Sequence, residues 1–324
     1  MDKLLNWFKE RILFIGVVIL LIFIPLYPKF PLFEVPGTYV AIRFEDILVA
    51  LLVGIFIIKT LLERHNIFQD RLHRLFLIFF LIGGLSSLSA ILLTKNVVPH
   101  LVLLHWLRRV EYMSLFFIAA ASVRRTQDIK DYLIVLFLAT VGVVIYGVGQ
   151  KFLGFPVIST MNEEFSKGIL LSLSEWARVN STFAGHYDLA AFLVLILAIT
   201  AGSIIGFTRW WQKILVLLFG VGAFYLLILT ASQISFAAYL VGVTIVLVFS
   251  MKYLWVIPVL SLSILVMATS SDFSKRYVAT FKVNLDFLSG IYKSRGKEKL
   301  VIAPTPTIPP VPPAKVAPVK APKK

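Results

Sequence analysis

The chain has no cysteine among its 324 residues, which excludes disulfides and thiolate metal sites. Charge is scarce as well: 15% of residues are charged and 59% are hydrophobic, with mean hydropathy +0.89. Soluble domains carry about a quarter charged residues, so a soluble globular fold is excluded. The composition is that of a polytopic membrane protein, where each span satisfies its own backbone as helix. A Walker phosphate loop, a G-x-G-x-x-G before a helix and an H-E-x-x-H pair are all missing. The histidines (His65, His73, His100, His105 and His186) lack metal-ligand spacing, so neither metal nor cofactor is expected. There is no recognisable selectivity filter or charged ring for a channel, and no matched broken helices for a secondary transporter. No internal repeat is found.

What charge there is lies unevenly. A net charge of +15 resembles a nucleic-acid signal, but the basic residues sit in short loops between apolar runs and in a terminal tail. That placement suits topology determinants and contacts with membrane lipids, and nucleic acid is not expected as a partner.

The apolar runs predict an all-α, polytopic transmembrane bundle of about nine spans, at roughly 17–25 residues each. They lie near 12–27, 46–62, 75–93, 101–122, 131–150, 187–206, 213–230, 233–250 and 253–270. The first run ends in Pro-Leu-Tyr-Pro-Lys with no small-residue cleavage site, so it reads as a span and not a signal peptide. A cytoplasmic N-terminus (1–11) puts most Lys and Arg in inner loops, among them Arg11, Arg71, Arg74, Arg124, Arg125, Arg209 and Lys252. Lys29, Arg43 and Arg178 then fall outside. The longest connection, 151–186, is also extracytoplasmic, as is the C-terminus.

Several polar features interrupt this pattern. The stretch Glu175 to Leu193, EWARVNSTFAGHYDLAAFL, runs straight into a span. It fits a wetted loop with a helix start. The spacing of Arg178 and His186 around Phe183 favours a site, because ionisable groups at membrane depth tend to mark one. Asn180-Ser181-Thr182 matches a glycosylation acceptor only weakly and stands too close to a span. In the fourth span His105, Arg108, Arg109 and Tyr112 share a face at helical spacing, and Glu111 is placed to pair with Arg108. These arginines either snorkel or face a cavity; two adjacent arginines inside an apolar run favour the cavity. The connection 28–45 is rich in proline and reads as turns; Glu45 and Asp46 open the next helix, where carboxylates suit its positive end. The tight turn at Thr230-Ala231-Ser232-Gln233 predicts an antiparallel helix hairpin.

Beyond residue 270 the composition changes. Residues 271–300 are basic and amphipathic and are read as an extracytoplasmic segment; 301–324 is a disordered tail of Pro, Ala, Val and Lys. The bundle itself is 12–270.

Arg43, Arg108, Arg109 and Arg178 form a set of outward arginines in an apolar bundle. Guanidinium groups match phosphate oxygens, so several around one cavity suit a polyanionic headgroup whose tail stays in the bilayer, and a polyprenyl diphosphate is such a molecule. The segment Arg178-Val179-Asn180-Ser181-Thr182-Phe183, followed by Gly185-His186-Tyr187-Asp188-Leu189-Ala190, resembles the O-antigen ligase and polymerase family. Leu226-Leu-Ile-Leu-Thr-Ala-Ser-Gln-Ile-Ser-Phe-Ala resembles the start of that family's core. The resemblance covers roughly 10–270. It implies a metal-independent, inverting transfer of a glycan from undecaprenyl diphosphate, on the outer face of the bacterial cytoplasmic membrane. It assigns Arg178 to the diphosphate. Arg108, Arg109 and Arg43 join it on the strength of the polar stripe, with Glu111 and Gln233 in support and His186 as candidate base. Two departures stand out. Gln233 occupies a place where the family usually has arginine, and the chain ends within what would be the family's large outer loop, reading as a C-terminally incomplete member. The alternative is a non-catalytic protein that binds or scaffolds lipid-linked glycan for other cell-envelope assembly proteins. A transporter ranks last, because the charges cluster on one side.

Overall fold

A computed structural model describes residues 2–38, 41–63, 70–94, 97–157, 171–174 and 177–269, with side chains from residue 10 onward. Among the described residues there are nine α-helices: α1 (Asp2–Leu26), α2 (Phe44–Leu62), α3 (Arg71–Leu93), α4 (Pro99–Ser122), α5 (Thr126–Phe152), α6 (His186–Gly206), α7 (Trp210–Leu229), α8 (Gln233–Phe249) and α9 (Val256–Thr269). Each expected apolar run coincides with a helix. Four of them, α3, α5, α6 and α7, are long and apolar enough to cross a membrane. The last two apolar helices, Gln233–Phe249 and Tyr253–Thr269, are shorter. Large apolar side chains cover the outside, with Leu93 and Ile234 each 80% exposed, so the surface needs lipid around it. The segment 271–300, the tail 301–324 and most of 158–176 lie outside the described residues.

The connection read as turns contains a small antiparallel hairpin, β1 (Pro31–Phe33) with β2 (Ile42–Arg43). Pro31 and Pro36 block helix here, and Gly37 supplies a left-handed turn at φ +86°. Strands this short carry little sequence signal.

Two packed groups make up the core. In one, α1 touches α2, α4 and α5, and α2 touches α4. Leu13, Val17, Leu20, Val49, Leu52 and Ile118 form its buried centre. Helix α3 leans on α4 and buries no residue of its own. In the other, α6 is central: Leu189, Ala190, Leu193 and Ile196 are fully buried, and both α7 and α8 pack on it. Small residues permit this closeness, as is usual where helices associate without a hydrophobic driving force. A Cβ at Gly220 would stand 2.9 Å from the Thr200 methyl. Helix α5 joins the groups by packing on α1 and α7.

The expected α7–α8 hairpin is corrected by this arrangement. The chain does turn within 230–232, with Ala231 in the left-handed region at φ 48°. The two helices then pack chiefly on α6, and their contact with each other includes the rings of Phe224, Phe236 and Tyr239.

Contacts gather the end of α1, the starts of α2, α6 and α8, and the ends of α5 and α7 at one end of the bundle. At the other end Arg11 pairs with Asp128 at 2.7 Å, tying α1 to α5. Asp128 also accepts the backbone N–H groups of Arg124 and Arg125.

Candidate functional site

The last turn of a helix leaves carbonyls without intrahelical partners. At the end of α1, Pro25 and Pro28 stop the helix, and two such carbonyls take side-chain donors from different parts of the chain. Lys29 Nζ donates to the Ile24 carbonyl at 2.6 Å, and Thr182 Oγ1 donates to the Pro25 carbonyl. Two polar clusters thus share one helix end.

The first cluster lies among β2, α2 and α4. Glu45 and Asp46, in the first turn of α2, are both buried. Glu45 accepts Lys29 Nζ at 2.8 Å and Arg43 Nη1 at 3.2 Å. Asp46 accepts Arg108 Nη2 at 2.6 Å, the Tyr112 hydroxyl at 2.6 Å and the Arg43 backbone N–H at 2.9 Å. Arg108 Nη2 also reaches the Ala41 carbonyl at 3.2 Å. Lys29 holds a left-handed backbone at φ 61° to make its contacts. Burial pushes its ammonium below the ordinary lysine value, against the opposing pull of Glu45.

Glu111 was expected to pair with Arg108. Instead Arg108 turns to Asp46, and Glu111 Oε1 is buried with no hydrogen-bond partner among the described residues. Both groups line a hollow of about 230 Å³ between α2 and α4. Arg109 is one residue, hence about 100°, further round α4. It is exposed and away from this cluster, as is His105.

The second cluster is built on 177–187. Ser181 sits at φ 52°, a costly conformation for a non-glycine residue. It is held there from several directions. Gln150, at the end of α5, accepts the Ser181 N–H at 2.7 Å and donates to its carbonyl at 2.9 Å. The Ser181 hydroxyl donates to the Val143 carbonyl at 2.7 Å. Asn180 Nδ2 donates to the Phe183 carbonyl at 2.9 Å, and the Val179 N–H reaches the Leu229 carbonyl at 3.3 Å. Asn180, Ser181 and Thr182 are all buried, so the glycosylation pattern is closed to a modifying enzyme.

This fixed segment presents Arg178. Its Nη1 donates to His186 Nε2 at 2.6 Å and to the Tyr187 hydroxyl at 3.3 Å. Its guanidinium also lies 5.8 Å from the centre of the Tyr187 ring. Among the described residues no carboxylate pairs with Arg178. Because arginine has no lone pair to offer, His186 Nε2 is the acceptor in this contact. Gln233 opens α8 on this same end, and the preceding Ser232 caps that helix by accepting the Ser235 N–H.

The expected arginines therefore divide. Arg43 and Arg108 share the Glu45–Asp46 pair, Arg178 stands in the second cluster, and Arg109 stands in neither. Glu175 and Trp176 lie outside the described residues. Sequence reasoning missed Lys29, Gln150 and the bridging role of Thr182. Lys29 and Arg43 do precede two carboxylates, Glu45 and Asp46, within one short connection of a membrane protein, a pattern that calls for pairing. Among the described residues no three His, Asp or Glu side chains gather as metal ligands.

With this geometry in hand, comparison with protein families, curated proteins and solved structures gives no match.

Proposed function

We propose that this protein is an O-antigen ligase- or polymerase-like membrane glycosyltransferase that uses a glycan carried on undecaprenyl diphosphate. It sits in the bacterial cytoplasmic membrane with nine spans, the N-terminus inside and the Arg178 end outside. The single observation that supports this is Arg178: a permanent cation with no counter-charge among the described residues, presented by a buried and strained segment. Such a group suits a diphosphate leaving group, whose developing charge it stabilises.

His186 fits the role of base once the ligand is bound. With Arg178 turned onto the diphosphate, Nε2 is released and its lone pair takes the acceptor hydroxyl proton. The hydroxyl oxygen then bonds the anomeric carbon, the bond from that carbon to the diphosphate oxygen breaks, and the charge leaves with the diphosphate on Arg178. Arg43 and Arg108 already face carboxylates, so in this reading they hold the frame next to the site. A second reading, binding or scaffolding of lipid-linked glycan without transfer, is favoured by the engaged state of His186 Nε2.

The test is transfer by the purified full chain in vesicles, with a lipid-diphosphate glycan and an acceptor, beside Arg178→Ala. Transfer by the wild type and loss in the variant support the enzyme. Tight binding of the lipid without transfer supports the scaffold. Undiminished binding and transfer by Arg178→Ala overturn both.

A further inference from the structure

Arg109 takes no part in either polar cluster. Its side chain is exposed, and among the described residues it makes no ion pair and no hydrogen bond. Its depth follows from the packing of α4 on α3, a helix long and apolar enough to cross a membrane. Trp106 lies against Gly83 and Gly84 and donates to the Phe80 carbonyl at 3.2 Å. Further along, Phe116 stacks on Phe76 with ring centres 4.6 Å apart. Arg109 falls between these contacts, level with the middle of Arg71–Leu93. At about 1.5 Å per residue this is roughly 15 Å from either end of α3, the centre of a hydrocarbon layer about 30 Å thick. Lipid phosphates lie at the surface of that layer, beyond the reach of a side chain anchored at its centre.

Helix geometry gives the direction. At about 100° per residue, Arg109 is midway in angle between Trp106 and Tyr112. Trp106 is bonded on the α3 side, and Tyr112 is bonded to Asp46 on the α2 side. Both α2 and α3 pack on α4, so Arg109 lies on the strip of α4 between them. His105, one turn away on the same strip, is also exposed and makes no hydrogen bond among the described residues.

A cation at this depth is almost always paired or turned toward protein. Arg108 follows that rule through Asp46. For Arg109 the matching group is a carboxylate, which takes the charge and fits the donor fork. A second copy of the chain does not bring one. Apart from Glu111, which lines the α2–α4 hollow, every described carboxylate lies at the edge of an apolar run or between runs.

We propose that the strip of α4 between α2 and α3 docks a membrane-spanning helix of another protein, one that carries an aspartate or glutamate near its midpoint. The carboxylate accepts from Arg109, with His105 beside it, and the apolar surface of the partner covers Phe116, which is 38% exposed. This rests on the bundle standing in a membrane and is independent of Arg178, so its test reads association and not glycan transfer.

The full chain, labelled with a fluorophore at Glu34→Cys in the exposed hairpin, is reconstituted in phosphatidylcholine vesicles. The probe is a membrane-spanning peptide of leucine and alanine, about 20 residues long, with one glutamate at its centre and a second fluorophore at one end. Energy transfer reports its affinity. The central-glutamate peptide binds about tenfold more tightly than the same peptide with glutamine, the ratio for one charge-assisted hydrogen bond. A glutamate moved two turns toward the end of the peptide gives no such gain. Arg109→Leu removes the preference, and because Arg109 makes no bond to the described residues this variant keeps its melting temperature in detergent. The three peptides against the chain that retains Arg109 decide the question by themselves. Equal binding of the glutamate and glutamine peptides, binding indifferent to the depth of the glutamate, an unchanged preference in Arg109→Leu, or self-association of the chain that shuts out the peptide overturns the proposal.

Discussion

Arg178 and His186 are joined by a 2.6 Å hydrogen bond in which the imidazole accepts. A cation that pairs with no carboxylate among the described residues keeps its charge for a ligand. Arg178→Ala is expected to lower transfer at least ~100-fold, the scale seen when one charge-stabilising donor is removed. Insertion into the membrane stays normal. Transfer rates with matched protein amounts in the vesicles check this.

Nitrogen NMR of His186 gives an independent reading. In the free protein Nε2 shows the shift of an unprotonated nitrogen, and Nδ1 that of a protonated one. Saturation with a polyprenyl diphosphate moves the Nε2 signal as Arg178 leaves it. An Nε2 signal unchanged by saturating ligand would separate His186 from the ligand site.

Gln150 clamps the strained Ser181 backbone with two hydrogen bonds. Gln150→Leu leaves a buried N–H and a buried carbonyl short of partners. The expected loss is about 1–3 kcal/mol for each unsatisfied group. A lower midpoint in detergent melts, together with weaker diphosphate binding, is the outcome to look for, because Arg178 lies three residues from the clamp.

Glu45 is buried between two cations. Removing it as Glu45→Ala takes the buried carboxylate from Lys29, at a cost of about 3–5 kcal/mol for a broken buried pair. Exchanging Lys29 and Glu45 for methionines together is expected to cost less than Glu45→Ala alone, since desolvation of both charges is avoided. Melting midpoints of the single and double variants decide it.

The chain has no cysteine, so single cysteines give a clean topology map. Glu34 and Met251 are both exposed, at the hairpin and at the α8–α9 connection. With an impermeant maleimide on intact cells, Glu34→Cys labels directly and Met251→Cys only after permeabilisation. The reverse pattern overturns the proposed orientation.

Much of the helical framework was legible, because a bilayer imposes long apolar runs and these are plain in the sequence. Helix partners were not. The splay of α7 and α8 onto α6 depends on which small residues face each other, and a run of Leu, Gly and Ala does not say. The polar stripe on α4 was legible as chemistry but not as pairing. Arg108 and Glu111 are near neighbours on one helix, yet Arg108 reaches 62 positions back to Asp46. Ser181, Thr182 and Gln150 read as ordinary polar residues; only the fold brings them together.

The shared end of α1 has a consequence for how this sequence can change. Consecutive carbonyls at Ile24 and Pro25 receive Lys29 and Thr182. Adding or deleting one residue within α1 turns its tip by about 100° and shifts it by about 1.5 Å. Both attachments would then fail together. The length of this first helix is therefore locked, and drift there has to be by substitution, never by indel.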